Sequence, residues 1–277
     1  ALILVVVALC GLLAGRAAVA AEDKPPAPAA AGPSKGPEDP EELYEQGLRQ
    51  MKRAYYDEAI ISFEKVRNHF PFNKYSVLSE LRVADCQFEK AAYVEAVDAY
   101  RQFIRLHPRH PEIDYAVYRT ARSELKLAPV VAQRDQAHTT LGLRHVGDFD
   151  QRFPESEYLE EVALLRSKAN RRLARAATQV GDFYWKQRQF GAAERRYALS
   201  ASSYPDAPTA GRALYRRGVA LWKLERGTEG LEVLRSLAAG KPEDRWGRRA
   251  ASFLAAHSTP VIAQPDPGAD AADSIVP

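Results

Sequence analysis

The sequence predicts an all-α fold, an array of five helical hairpins closed by one further helix, and three observations predict it. Small residues recur at Gly47, Ala84 and Ala121 and again at Gly181 and Gly218, with a step of 37 residues inside each set. A second set, Ala59, Ala96, Gly142, Ala193 and Gly230, is followed four residues later by Phe63, Tyr100, Val146, Tyr197 and Leu234. Twelve residues beyond each member of that set stands a proline, at Pro71, Pro108, Pro154, Pro205 and Pro242. Small side chains let the two helix axes of a hairpin approach, and the bulky residue one turn on is expected to fill the gap between neighbouring hairpins. Each proline ends a helix, because it lacks an N–H and its ring clashes with the preceding turn. A unit of this length and layout is the tetratricopeptide (TPR) pattern, nominally ~34 residues, wound as a superhelical array.

The elements follow in order. Residues 2–15 form an apolar run too short to span a bilayer comfortably, and residues 1–20 read as an export signal. No initiator Met precedes Ala1, so the first residues are read as missing. Cleavage has two alternatives. Lipid attachment at Cys10 requires a small residue ahead of it, where Leu9 stands; Ala18-Val19-Ala20 offers an ordinary small-x-small site and is preferred. Residues 21–40, rich in Ala, Pro, Gly, Glu and Lys, read as a flexible linker.

Five repeats then occupy about 41–74, 76–110, 112–155, 157–207 and 209–242. The first helix is expected over 41–53, capped by Asp39, with Glu41 and Glu42 at the positive end of its dipole, and the second over 56–69. Repeat two spans 76–107 and repeat three opens with a helix over 113–127. Nine extra residues between Ala96 and Gly142 place a loop at 128–138, around Pro129. Fourteen more, between Gly142 and Ala193, fall in the proline-free stretch 157–188 and predict an unusually long helix projecting beyond its hairpin. Residues 243–257 form a helix covering the last repeat, and 258–277 read as a disordered tail.

Composition narrows the function. Two cysteines make no disulfide framework, and Cys86, between Ala84 and Phe88, reads as a small buried residue. Residues 21–130 hold 16 Lys/Arg against 18 Asp/Glu, whereas 131–259 hold 22 against 15, so the C-terminal repeats are the basic half. An exported chain meets little nucleic acid, which favours an acidic protein partner or anionic head groups over nucleic acid. No Gly-rich phosphate loop or Gly-x-Ser-x-Gly occurs, so an enzyme is not expected and no cofactor is implied. His107 and His110 have ligand-like spacing, but Pro108 forbids a shared helical face and no third ligand is evident, so no metal site is expected.

The remaining candidate is the concave groove lined by first helices. Counting from the small positions, its lining is expected to be Tyr44, Leu48, Met51 and Lys52, then Leu81, Asp85, Phe88 and Glu89, then Tyr115, Tyr118, Arg122 and Lys126. Aromatic, aliphatic and charged side chains together suit an extended peptide with large apolar residues and a terminal carboxylate. For Leu81 and Phe88, packing between repeats is an equal alternative.

Four segments carry a closer resemblance: Phe70-Pro-Phe-Asn-Lys-Tyr-Ser76, Ile104-Arg-Leu-His-Pro-Arg-His-Pro-Glu-Ile-Asp-Tyr115, Gln133-Arg-Asp-Gln-Ala-His138 and Phe153-Pro-Glu-Ser-Glu-Tyr158. Over about 40–256 the chain resembles the BamD family, TPR lipoproteins of the machine that folds β-barrels into the outer membrane of Gram-negative bacteria. The resemblance implies a periplasmic scaffold at the inner face of the outer membrane, lipid-anchored or held there by partners. It implies that the first three repeats receive unfolded β-barrel precursors and the last three dock on the periplasmic domains of BamA, with other Bam lipoproteins as further partners. Arg196 falls where the family carries an arginine facing BamA. The alternative is another envelope TPR adaptor of the Tol-Pal type, which would be expected to trimerise through a coiled coil ahead of its repeats; residues 21–40 show no heptads.

Overall fold

The computed structural model describes residues 39–257. The export signal, Cys10, the linker up to residue 38 and the tail at 258–277 lie outside the described residues. Those described form twelve helices and no strand. Helices α1 (Pro40–Lys52) and α2 (Tyr56–His69) make the first hairpin, α3 (Lys74–Glu89) and α4 (Tyr93–Leu106) the second. The third is α5 (Ile113–Leu127) with α6 (Ala137–His145) and the short α7 (Phe149–Arg152). Helices α8 (Leu159–Lys186) and α9 (Phe190–Ser203) form the fourth, α10 (Ala210–Lys223) and α11 (Gly227–Gly240) the fifth, and α12 (Arg245–His257) packs on α11 and α10.

Local sequence explains the punctuation. Asp39 caps α1, its carboxylate accepting from the Glu41 N–H at 3.0 Å, and Pro40 is already helical, one residue earlier than expected. Between hairpins, each closing proline stands two residues past the last helical residue. The residues before these prolines, Phe70, His107, Phe153, Tyr204 and Lys241, share φ from −125° to −141° and ψ from 54° to 62°. That is the avoidance of helical backbone that a following proline imposes. Inside hairpins one, two, four and five the first helix ends on a left-handed residue: Ala54, Ala91, Arg188 or Glu225. Around Ala54, the Tyr55 N–H donates to the Gln50 carbonyl and the Ala54 N–H to that of Met51, the crossed bonds of a Schellman ending.

The small residues work as expected, with one correction. A Cβ on Gly47 would fall 2.6 Å from the Phe63 ring, and one on Gly181 would fall 2.6 Å from that of Tyr197. The bulky residue therefore sits first against the small residue of its own hairpin, closing the two helices on each other. Phe63 reaches the next hairpin as well, sharing a core cluster with Val83 and Cys86. The Cys86 thiol is fully buried and its pKa is pushed up to about 12 by burial, which leaves it a packing residue.

Repeat three departs from the pattern where the insertion was placed. Helix α5 ends at Leu127 with extended backbone at Ala128, and the loop to α6 is tied by the buried Gln136 amide. That amide donates to the carbonyls of Val131 and Arg134, each at 3.2 Å. Helix α8 has 28 residues, about 42 Å of helix at ~1.5 Å per residue. It projects beyond α9, its 14-residue partner, as its length suggested, and the projecting half lies on the preceding hairpin. Val162 and Leu165 pack with Val117, Val146 and Phe149 of hairpin three, while Arg166 donates to the Val146 carbonyl and pairs with Asp150 at 2.7 Å. Its C-terminal half holds α9 through Gly181 and through Thr178, whose hydroxyl lies 2.9 Å from that of Ser200. The added length joins two groups of hairpins.

Candidate peptide-binding surface

The structure divides the twelve expected groove residues into three groups. Leu81 is fully buried among Tyr100, Phe103 and Ala116, so it cannot line a surface; in the choice left open for it, packing prevails. Tyr44 is buried against Phe63 and Tyr75, at ring distances of 5.6 and 5.3 Å. Leu48 and Met51 pack on that same cluster, and Lys52 is exposed at the end of α1.

Asp85 is also buried, and it organises a network rather than a groove. Its carboxylate accepts from Tyr100 at 2.5 Å, from Tyr115 at 2.8 Å and from Arg82 at 2.6 Å. Arg82 is also paired with Glu112. Arg119 donates to the Tyr100 hydroxyl at 3.0 Å and to Glu89 at 3.1 Å, and its guanidinium lies 3.9 Å from the centre of the Phe88 ring. Burial and the Asp85 charge push the Tyr100 and Tyr115 hydroxyls well above their usual range, so both remain protonated donors. Burial opposes the charge on Arg82, but Asp85 and Glu112 outweigh it and hold the guanidinium ionised.

Sequence reasoning named Asp85, Phe88, Glu89 and Tyr115 but missed Arg82, Tyr100, Glu112 and Arg119 as their partners. A signal existed. Asp182 follows Gly181 as Asp85 follows Ala84, and Tyr197, Trp185 and Arg216 repeat the offsets of Tyr100, Phe88 and Arg119. The second set assembles similarly. Tyr197 donates to Asp182 at 2.8 Å, Arg212 bonds it at 2.6 Å, and Arg216 stacks 4.6 Å from the Trp185 ring centre. The Arg216 Nε, unlike that of Arg119, is buried without a hydrogen-bond partner.

Tyr118, Arg122 and Lys126 form the third group, and they do line an open cleft. It measures about 500 Å³ and lies between α5, the 128–136 loop and the N-terminal half of α8. Leu125, Val130, Leu164 and Leu165 supply apolar wall, with Val130 and Leu164 largely exposed. Arg122, Lys126, Lys168 and Arg172 surround it against the single acid Glu161. None of those four cations is in an ion pair among the described residues. Arg122 donates to the Tyr118 hydroxyl at 3.2 Å, and Tyr118 is stacked on Tyr158 with ring centres 5.3 Å apart, so the floor is held rigid. The loop and α8 were not assigned to this surface from the sequence, because the turn linking them to α5 is set by tertiary packing.

Arg196 is exposed on α9, where Tyr184, Ala192, Arg195 and Leu199 line a hollow of about 400 Å³ with it. His107 and His110 are engaged separately. The His107 Nε2 lies 2.9 Å from Glu80, and the His110 Nδ1 accepts from the Glu112 N–H. Among the described residues no group of three His, Cys, Asp or Glu is placed to hold a metal ion, and no helix is long and apolar enough to cross a membrane.

Stacked hairpins with an open, cationic and apolar cleft define a helical-repeat protein of the TPR class. The family model described as "YfiO: Outer membrane lipoprotein" matches residues 37–225, and the chain belongs to that family, the BamD outer membrane protein assembly factors. It is 30% identical over 204 residues to the outer membrane protein assembly factor BamD of Rickettsia prowazekii, covering 74% of this chain and 81% of that one. With the BamD of Caulobacter vibrioides it shares 29% over 204 residues, covering 74% and 67%. Among solved structures, a thermophilic TPR protein of Thermus thermophilus aligns at a TM-score of 0.36 and 13% identity, covering 78% of this chain and all of that one. The family match decides between the two envelope adaptors in favour of BamD over the Tol-Pal type.

Proposed function

We propose that the chain is a non-enzymatic scaffold on the periplasmic side of the outer membrane, which takes unfolded β-barrel precursors into the α5–α8 cleft and docks on the periplasmic domains of BamA through α9. The cleft carries the reading: four unpaired cations around an apolar wall suit a chain end that presents a large apolar side chain beside a carboxylate. A benzophenone amino acid at Leu164, inside the cleft, is expected to cross-link an unfolded barrel precursor, and one at Val94 on α4 is not. Equal yields at the two positions would remove the cleft from the reading.

For the docking face, Arg196 stands in a cationic hollow with Arg195, and a guanidinium can hold a carboxylate by two parallel hydrogen bonds. An exposed pair contributes only ~0 to 1 kcal/mol, but opposed like charges at a desolvated interface cost more. Arg196→Glu is therefore expected to weaken binding to BamA periplasmic domains several-fold at low salt with helical content unchanged, and Lys241→Glu to do much less. Equal affinities for the two variants would show that α9 is not the docking face.

A further inference from the structure

We propose that the corner formed by the start of α3 and the α4–α5 turn is a second docking surface, which takes an acidic, apolar segment of a partner protein in extended conformation. A hollow of about 490 Å³ opens there. Val77, Leu78, Leu106 and Pro108 give it apolar walls, Lys74 and Arg109 give it charge, and no carboxylate lines it. The carboxylates nearby in sequence are committed elsewhere. Glu80 meets His107 at 2.9 Å, Glu112 is paired with Arg82, and Asp114 accepts from Ser156 at 2.6 Å. Lys74 and Arg109 are in no ion pair among the described residues. The surface therefore presents uncompensated positive charge around an apolar floor, and complementarity selects a partner carrying both acids and bulky apolar side chains.

The repeat pattern shows that this charge is not a default of the fold. The residue after the closing proline is Glu155, Asp206 or Glu243 at the last three corners, whereas here it is Arg109. At the preceding corner the same position is Phe72, two residues ahead of Lys74, and its side chain is fully exposed. Leu106 is half-exposed as well. Large apolar side chains left open beside a cationic hollow mark a surface that is covered in use. The hollow is also pre-formed. Pro108 and Pro111 fix the turn, and the rings of His107 and His110 each lie 5.1 Å from that of Phe103. Burial lowers the pKa of His110, which disfavours charge on its ring. No lining residue is shared with the α5–α8 cleft, so the two surfaces can be tested apart.

The test is fluorescence anisotropy of the whole chain with two labelled, C-terminally amidated hexapeptides, which have no terminal carboxylate to offer the cleft. One alternates Glu with Leu and Phe, and the other carries Lys at every Glu position. The acidic peptide is expected to bind saturably and at least tenfold tighter than the basic one. Lys74→Glu with Arg109→Glu is expected to weaken it at least tenfold, Lys74→Gln with Arg109→Gln to fall between, and Arg122→Glu, in the other cleft, to weaken it less than the double reversal does. All three positions are on the surface, and circular dichroism melting checks that each variant folds. Absence of binding, equal affinity for the two peptides, equal affinity in the double reversal, or a loss confined to Arg122→Glu would each overturn the proposal.

Discussion

Four side chains sit in backbone that favours glycine. Ala54, Ala91, Arg188 and Glu225 hold φ between 58° and 62° where the first helices of their hairpins end. A Cβ in that region costs about 1–2 kcal/mol, yet the crossed hydrogen bonds of the helix ending require it. Glu225 is exposed and pairs with no basic side chain among the described residues, so Glu225→Gly removes little else. It is expected to stabilise the chain by about 1 kcal/mol and to raise the melting temperature by roughly 2–4 °C. A lower melting temperature would show that the turn draws on the side chain. The turn positions were legible only as gaps between helices, because nothing in Arg53-Ala-Tyr55 or Leu224-Glu-Arg226 carries the usual glycine signal. The prolines were legible to the residue, since their effect is steric and local.

At the scale of the element, each hairpin is closed by a glycine or alanine under a ring or a branched chain, and hairpins two and three, like four and five, are tied through a carboxylate on a first helix. The tie around Asp85 joins α3, α4 and α5. Its removal leaves Arg82 and Arg119 short of a counter-charge and two phenol hydroxyls without their acceptor. Asp85→Ala is therefore expected to destabilise the chain by about 3–5 kcal/mol in denaturant unfolding, in the range for breaking a buried pair. Asp182→Ala is expected to cost less, because its side chain is 19% exposed against 4% for Asp85. Equal costs would mean that burial does not set the strength of the tie. The bounds of α2 and α5 agree with those predicted from the sequence; Pro71 ends the first, and Pro111 and Pro129 flank the second. The tie itself was missed, because a search for groove residues takes a charge on a first helix as solvent-facing. The length of α8 was legible from the missing prolines, but its packing on hairpin three was not, because Val162 and Leu165 find their partners only in the folded array.

For the whole molecule, the basic bias of residues 131–259 reappears as located charge: Lys168 and Arg172 at the cleft, Arg195 and Arg196 on α9. Family membership supplies the setting, the assembly of outer membrane proteins. Of the expected groove, the part on repeat three opens to solvent at the cleft, while Leu81 and Asp85 turned inward; periodicity finds the inner face of a helix but not how closely the next hairpin covers it. The central claim is that the α5–α8 cleft holds barrel precursors by charge and apolar contact together. It is tested most directly by calorimetric titration of the C-terminal ten residues of an outer-membrane β-barrel protein into the unmodified chain and into the Arg122→Glu, Lys168→Glu variant. Both residues are exposed, so the fold should be kept. The account predicts saturable binding that weakens at least tenfold in the variant and declines with added salt. Binding of equal strength to both forms would contradict it.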